Sequence, residues 1–389
     1  MKIFIYICGI NRICDMFKRE IENSISRDFA KGKIICLLGP RQVGKTTLLN
    51  QLIKKGDKVL KLNCDDSLDA AELENKSTTE LKNMFQGYDM VQIDEAQRVD
   101  NIGLTLKKIA DLKLPVKVIV TGSSSFDIRN RIYESAAGRL LEYNLYPLSL
   151  KEIGDATSAR EESKLLETRM IYGLYPEVVT DSTDARRLLT NLTNNYLYKD
   201  ILTLGGVRKS ANLQKLVTAL ALQIGSEVSY NELSRIVGID KSTVENYIDL
   251  LEKCFVIFKL NSFSRNLRNE IQKGKKIYFY DNGIRNAVIA NFAPLDFRND
   301  TGALWENLMI SERIKRNAYF NTYAKPYFWR THSQKEIDYI EELDGRLQAF
   351  EFKWNTKAKS KIPEDFLRTY PNSSFETITP INYLSFIDK

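Results

Sequence analysis

Residues Gly39-Pro40-Arg41-Gln42-Val43-Gly44-Lys45-Thr46 stand directly behind the apolar run Ile34-Ile35-Cys36-Leu37-Leu38. The spacing is G-x-x-x-x-G-K-[ST], in the strand–loop–helix setting where it works as a phosphate cradle. The glycines let the backbone curl until its N–H groups point inward at an anion. Lys45 adds a point charge for the β- and γ-phosphates, and the Thr46 hydroxyl is suited to ligate Mg²⁺. A helix starting near Gly44 turns its positive end to the same anion. A chain built this way is expected to bind a nucleoside triphosphate, with ATP and Mg²⁺ as cofactors. No guanine-reading N-K-x-D motif is evident, and the base preference stays open.

Hydrolysis needs a metal partner and a group that orients water. Val91-Gln92-Ile93-Asp94-Glu95 supplies a strand ending in two acids. Asp94 is expected to reach the Mg²⁺ and Glu95 to polarise the attacking water; a solvated acidic turn is the plainer alternative. Gln92 interrupts the apolar strand and implies a polar neighbour on one sheet face. The next apolar strand ends in Thr121-Gly122-Ser123-Ser124-Ser125, where Ser123 or Ser124 would lie beside the γ-phosphate if this strand neighbours both motif strands. Gly138-Arg139 offers a guanidinium for a neighbouring subunit's γ-phosphate, with Arg129 and Arg131 as competitors and a surface salt bridge as the ordinary use of Arg139.

Apolar runs at 34–38, 59–63, 90–94 and 116–121 alternate with helical patterns up to about Pro147, which implies a parallel sheet covered on both faces. The length of 389 residues exceeds one compact core and implies two or three folded units. The expected divisions are a possible N-terminal extension at 1–15, with Met16 opening the functional chain, and a P-loop domain at 16–150. A helical lid or linker at 151–208, a winged helix-turn-helix at 209–285 and a last α/β domain at 286–389 follow. In the linker, Leu165, Leu166, Met170, Ile171 and Leu174 read as a core stripe. Ser229 with Glu232 suggests a capping box opening a helix over 230–237. Lys241, Ser242, Thr243 and Asn246 begin the second helix, where base contacts would occur. The loop before the second strand of the wing is basic, with Arg265, Arg268, Lys273, Lys275 and Lys276.

Five scattered cysteines, none spaced C-x-x-C, argue for reduced thiols in a cytosol rather than a disulfide framework or zinc site. His332 is the only histidine, which excludes histidine-rich metal sites. A net charge of +7 permits nucleic-acid contact without demonstrating it. No run of roughly 18 apolar residues exists, and no membrane partner is expected.

The stretch Gly39 to Thr47, Ile93-Asp94-Glu95-Ala96-Gln97, Thr121-Gly122-Ser123-Ser124 and Ala137-Gly138-Arg139 together resemble one large prokaryotic family of uncharacterised AAA-type P-loop ATPases. Tyr172-Gly173-Leu174-Tyr175-Pro176-Glu177 and Tyr280-Asp281-Asn282-Gly283 fit the same pattern. The resemblance implies a C-terminal half that combines a winged helix with a restriction-endonuclease-like domain. It also implies a nucleotide pocket at the carboxyl ends of the parallel strands, and self-association through the ATPase domain is compatible with it. Asp281 and Gly283 read as a structural turn.

The C-terminal constellation is Glu306, Asp338 and Glu351-Phe352-Lys353. Asp338 and Glu351 fall on adjacent strands of a hairpin turned by Leu343-Asp344-Gly345-Arg346, so their carboxylates can converge on one divalent metal. Lys353 shares a strand face with Glu351 and would position water or offset charge at a phosphodiester. This resembles the D…E-x-K pattern of restriction-type nucleases, with Glu306 as an added ligand from the preceding helix. The expected function is Mg²⁺-dependent ATP hydrolysis coupled to a nucleic-acid-binding or nuclease-like module, with DNA as the candidate partner. The rival is a nucleotide-gated switch with slow hydrolysis and a catalytically inactive C-terminal domain. A small-acceptor kinase and an ATP-regulated nuclease are the remaining alternatives.

Overall fold

The computed structural model describes residues 17–123, 138–197, 201, 210–264, 274–331 and 335–388. The expected extension, Met16, Ser124, Ser125, Arg129, Arg131, Ala137, Arg265, Arg268, Lys273 and His332 lie outside the described residues. The chain divides into two compact units, Met1–Leu148 with Lys253–Phe255, and Ser149–Glu252 with Val256–Lys389.

The first unit carries its strands where the apolar runs predict them. These are β1 (Ile34–Leu38), β2 (Val59–Asn63), β3 (Met90–Asp94) and β4 (Lys117–Gly122). A further strand, β5 (Leu140–Asn144), was not foreseen: it lies at the sheet edge, only Tyr143 of its residues is buried, and an edge strand leaves a weak apolar signature. All pairings are parallel, in the order β2-β3-β4-β1-β5. Thus β4 lies between the strand that feeds the phosphate loop and the strand that ends in Asp94. Gln92 finds the polar neighbour its position implies, donating from Nε2 to the Leu49 carbonyl at 2.6 Å. On the helix Ile102–Asp111, Ile102, Leu106 and Ile109 recur at helical spacing and are all buried.

The second unit opens with short helices from Leu150 to Asn191. Leu166, Met170, Ile171 and Leu174 are core, as their spacing predicts, whereas Leu165 is exposed. A helix Ser210–Leu222, β6 (Glu227–Val228), helices Tyr230–Val237 and Lys241–Lys253, β7 (Ile257–Ser262) and β8 (Lys275–Phe279) come next. Ser229 caps its helix by accepting from the Glu232 N–H at 3.4 Å, which is one half of the expected box. The helix Thr301–Phe320 leads to β9 (Lys325–Arg330), β10 (Glu336–Leu343) and β11 (Arg346–Phe352), then a helix Glu364–Thr369 and β12 (Ser373–Ile378). Asp344 and Gly345 both have positive φ, 51° and 77°, as the tight two-residue turn between β10 and β11 requires.

Sequence patterns did not show that these strands join. They form one sheet, β12-β11-β10-β9-β7-β8-β6, because β7 pairs in parallel with β9 through Asn261–Tyr327 and Ser262–Phe328. The segments expected as separate winged and C-terminal domains therefore share a hydrogen-bonded ladder.

The motifs at 172–177 and 280–283 interlock. The Asp281 carboxylate accepts from the Leu174 N–H at 2.7 Å and from the Ile284 N–H at 3.1 Å, capping the helix Asn282–Val288. Burial pushes the Asp281 carboxyl above its usual range, and these N–H donors together with Lys315 oppose the shift. A Cβ on Gly173 (φ 72°) would fall 2.1 Å from Asp281 Oδ1, and one on Gly283 would fall 2.2 Å from the Tyr172 carbonyl oxygen. Asp281 and Gly283 are thus a structural turn. Gly283→Ala must displace backbone, and we expect a loss of about 1–3 kcal/mol of stability in urea unfolding followed by circular dichroism; an unchanged midpoint would contradict the interlock.

Candidate functional site

The phosphate loop leaves β1 with Gly39 pressed against the chain: a Cβ there would lie 2.1 Å from the Leu145 carbonyl oxygen. Gln42 and Gly44 take positive φ, 63° and 93°, which curls residues 39–44 into a concave turn before the helix Lys45–Gln51. Pro40, Arg41 and Val43 complete the turn, and Thr47 continues into the helix. The Lys45 side chain is buried, and its ammonium folds back to donate to the carbonyls of Gly39 (2.9 Å) and Pro40 (3.0 Å), with Glu95 Oε1 at 3.9 Å.

Thr46 Oγ1 donates to Asp94 Oδ2 at 2.7 Å, so the two residues assigned to the metal are brought together. Thr121, on the intervening strand, donates to the other oxygen of Asp94 and accepts from the Glu95 N–H at 3.0 Å. That second bond holds Glu95 in a left-handed conformation, φ 52°, unusual for a residue with a side chain. Gln97 Nε2 donates to Glu95 Oε2 at 2.5 Å and to Ser123 Oγ at 3.2 Å, which joins the β4 tip to the proposed water-orienting carboxylate. Lys45, Thr46, Asp94, Glu95 and Ser123 therefore converge.

Arg139 does not join them. Its backbone carbonyl accepts from the Ile34 N–H at 3.2 Å, at the start of β1, the end opposite the phosphate loop. Its guanidinium donates to Asp111 at 2.6 Å, the plain salt bridge among the sequence alternatives. Three residues were missed. Thr121 and Gln97 lay inside recognised motifs but carried no signal of their bonds. Arg19 had no signal at all: buried, it donates at 2.7 Å each to the carbonyls of Val43 and Tyr146, 24 and 127 positions away.

In the second unit, the Asp338 carboxylate accepts from the Phe352 N–H at 2.9 Å, and Lys353 Nζ donates to Glu351 Oε1 at 2.8 Å. Asp338 lies one position beyond the paired Tyr339–Phe350, and Glu351 follows Phe350. Glu306, expected as an added ligand, is tied to neighbours on β8. Its Oε1 accepts from Tyr278 at 2.6 Å and from the buried ammonium of Lys276 at 3.3 Å. Lys276 also pairs with Glu336. Burial, followed by the charges of Glu306 and Glu351, holds the Asp338 carboxyl well above the usual carboxylate range. Burial also raises Glu306, against the pull of Lys276. For Lys276, burial pulls the ammonium down, and Glu306, Glu336 and Asp338 outweigh it, so the net shift is upward. Among the described residues, no group of three or more His, Cys, Asp or Glu side chains is gathered so as to hold a metal ion.

Of the residues expected to touch bases, Ser242 Oγ and Thr243 Oγ1 donate to the Asp240 carboxylate at 2.6 and 2.7 Å, and Lys241 faces Glu245 at 3.8 Å. The hydrogen bonds from Ser242 and Thr243 hold the Asp240 carboxyl well below its usual range. Asn246 is exposed. No helix among the described residues is long and apolar enough to cross a membrane.

Residues 31–154 match the family model described as an AAA domain. Residues 163–295 and 301–380 match two models described as domains of unknown function, DUF8612 and DUF4143. The first unit thus has the loop, the parallel sheet and the sequence match of an AAA-type P-loop domain. The chain is 26% identical over 342 residues to an uncharacterized protein of Mycobacterium tuberculosis, covering 86% of this chain and 74% of that protein. It is also 26% identical over 282 residues to an uncharacterized protein of Haemophilus influenzae, covering 68% and 66%. Among solved structures, a Walker-type ATPase of Pyrococcus abyssi is similar with a TM-score of 0.48 and 16% identity, covering 70% of this chain and 96% of that one.

Because Arg19 clamps the loop carbonyl that precedes Gly44, Arg19→Ala is expected to weaken nucleotide affinity about tenfold, the effect of losing roughly 1.5 kcal/mol. Titration with a fluorescent ATP analogue measures it; an unchanged Kd would remove Arg19 from the site.

Proposed function

We propose that the chain binds and hydrolyses ATP with Mg²⁺ in its N-terminal unit. The observation that carries this is the bond of Thr46 to Asp94 beside the curled loop, with the Glu95 carboxylate 3.9 Å from the Lys45 ammonium. The backbone of residues 39–47 and the Lys45 ammonium hold the polyphosphate. Thr46 and Asp94 are the residues that would hold Mg²⁺; both present oxygen, the donor this hard cation takes, and the ion would neutralise charge on the β- and γ-oxygens. Glu95 accepts a proton from water, and Gln97 and Ser123 carry the state of the γ-phosphate position to it. Lys45→Ala is expected to abolish ATP turnover, and Glu95→Gln to lower it by at least a hundredfold while nucleotide still binds. A malachite-green phosphate assay reads both, and undiminished turnover in the pair would remove the site. Arg139 acts across subunits only if the Asp111 bond is given up, and self-association through this domain is the setting in which that would occur.

The second unit is proposed to bind nucleic acid. The order helix, β9, β10, β11, helix, β12, with Asp338, Glu351 and Lys353 at the open end of the hairpin away from its turn, supports the nuclease-like resemblance. The elements from Ser210 to Phe279 support a winged helix. The proposed phosphate contact is the segment after β11 rather than the helix Lys241–Lys253, whose exposed face carries Glu245 and Asp249. Lys357, Lys359 and Lys361 are exposed there, and none forms an ion pair with a described residue. Replacing all three by Gln is expected to weaken duplex DNA binding and flatten the salt dependence by roughly 2–3 units of log K against log salt. Fluorescence anisotropy across a salt series tests this, and an unchanged slope would move the contact elsewhere.

The inactive-module alternative is favoured by one observation, the tie of Glu306 to Lys276 and Tyr278 in place of a metal-binding trio. Stimulation of ATP turnover by DNA separates a coupled ATPase from a slow switch.

A further inference from the structure

The residues assigned to a divalent metal in the nuclease-like module do not fit one. Asp338 gives one oxygen to the Phe352 N–H, and Glu351 gives one to Lys353. Glu306 is bonded to Tyr278 and Lys276, and Glu336 is bound to Lys276. The Lys276 side chain is 1% exposed, set on β8 against Glu306 and Glu336 and over the ring of Phe328, 5.5 Å from its centroid. Its ammonium is a positive charge already installed among the acids.

We propose that Lys276 is a resident cation that closes the Glu306–Glu336–Asp338 cluster to divalent metal, so that this module holds nucleic acid without cutting it. A buried carboxylate must be paired, hydrogen-bonded or metal-bound, and a covalently tethered ammonium meets that need at no cost in ion uptake. A divalent ion would have to displace Lys276 from Glu306, leaving that ammonium buried beside a second positive charge. Glu306 would also have to leave Tyr278. The cluster and Lys276 come from three elements: Asp338 and Glu336 from β10, Glu306 from the helix Thr301–Phe320 and Lys276 from β8. The tie between Lys276 and its two glutamates therefore fixes β8 to the hairpin region whatever the module binds.

This rests on the nucleic-acid reading of the module, and the two fail separately. In nucleotide-free full-length protein, Mn²⁺ titration followed by electron paramagnetic resonance is expected to show no uptake that Asp338→Asn abolishes. Lys276→Met is expected to gain about one Mn²⁺ per chain, and adding Asp338→Asn to remove it. Lys276→Gln, which keeps a donor for Glu306, is expected to gain the same site and serves if the Met variant does not fold. Uptake by the unaltered chain that is lost in Asp338→Asn overturns the proposal, and so does a folded Lys276 variant that gains nothing. Absence of DNA binding in anisotropy would remove the nucleic-acid reading and leave the metal result standing.

Discussion

Everything at the nucleotide site depends on the insertion of β4 between β1 and β3. Two acids at the end of β3 and a hydroxyl at the start of the helix after β1 stand two strand spacings apart, about 10 Å across a sheet. Their side chains meet only because Thr46 and Asp94 reach over the tip of β4. Thr121 at that tip makes the bridge firm by serving Asp94 with its hydroxyl proton and Glu95 with its lone pair. One threonine thereby sets the orientation of the Asp94 carboxylate and holds the left-handed backbone of Glu95. Losing the strand order would scatter a site whose residues are all locally correct.

The two units treat buried charge in opposite ways. In the first, Lys45 is buried and its ammonium rests on the backbone carbonyls of Gly39 and Pro40. In the second, Lys276 rests on carboxylates, and nothing short of another cation would be an equivalent partner for them. On the functions proposed above, two buried lysines beside acids make an open site in one case and a closed one in the other. The difference lies in what the ammonium must give up to admit a ligand.

Much of the first unit was legible because its signals are local. The run Ile34–Leu38 is a strand on its own composition, and Gly39 to Thr46 is a loop on its own spacing. The Asp94-Glu95 pair needed only the strand before it. Arg19 was illegible because its role is defined by two carbonyls distant in sequence. β5 was missed because an edge strand with one buried residue looks like a loop. In the second unit, individual strands and the hairpin turn at Asp344-Gly345 could be read from alternation and turn chemistry. Their union could not, since Asn261 and Ser262 carry no mark of Tyr327 and Phe328. Glu306 reads from the sequence as part of a helix, as found, but its partners come from β8, a strand that the sequence pattern puts in another domain.

The ladder from β6 to β12 crosses the boundary between the two matched stretches of unknown function, one ending at residue 295 and the other starting at 301. A fragment cut at that boundary would strip β9 of its β7 neighbour and bare a row of backbone donors and acceptors along Tyr327 and Phe328. Naked strand margins of this kind recruit one another between molecules. The two stretches therefore share one sheet, and a fragment that keeps this margin covered includes both.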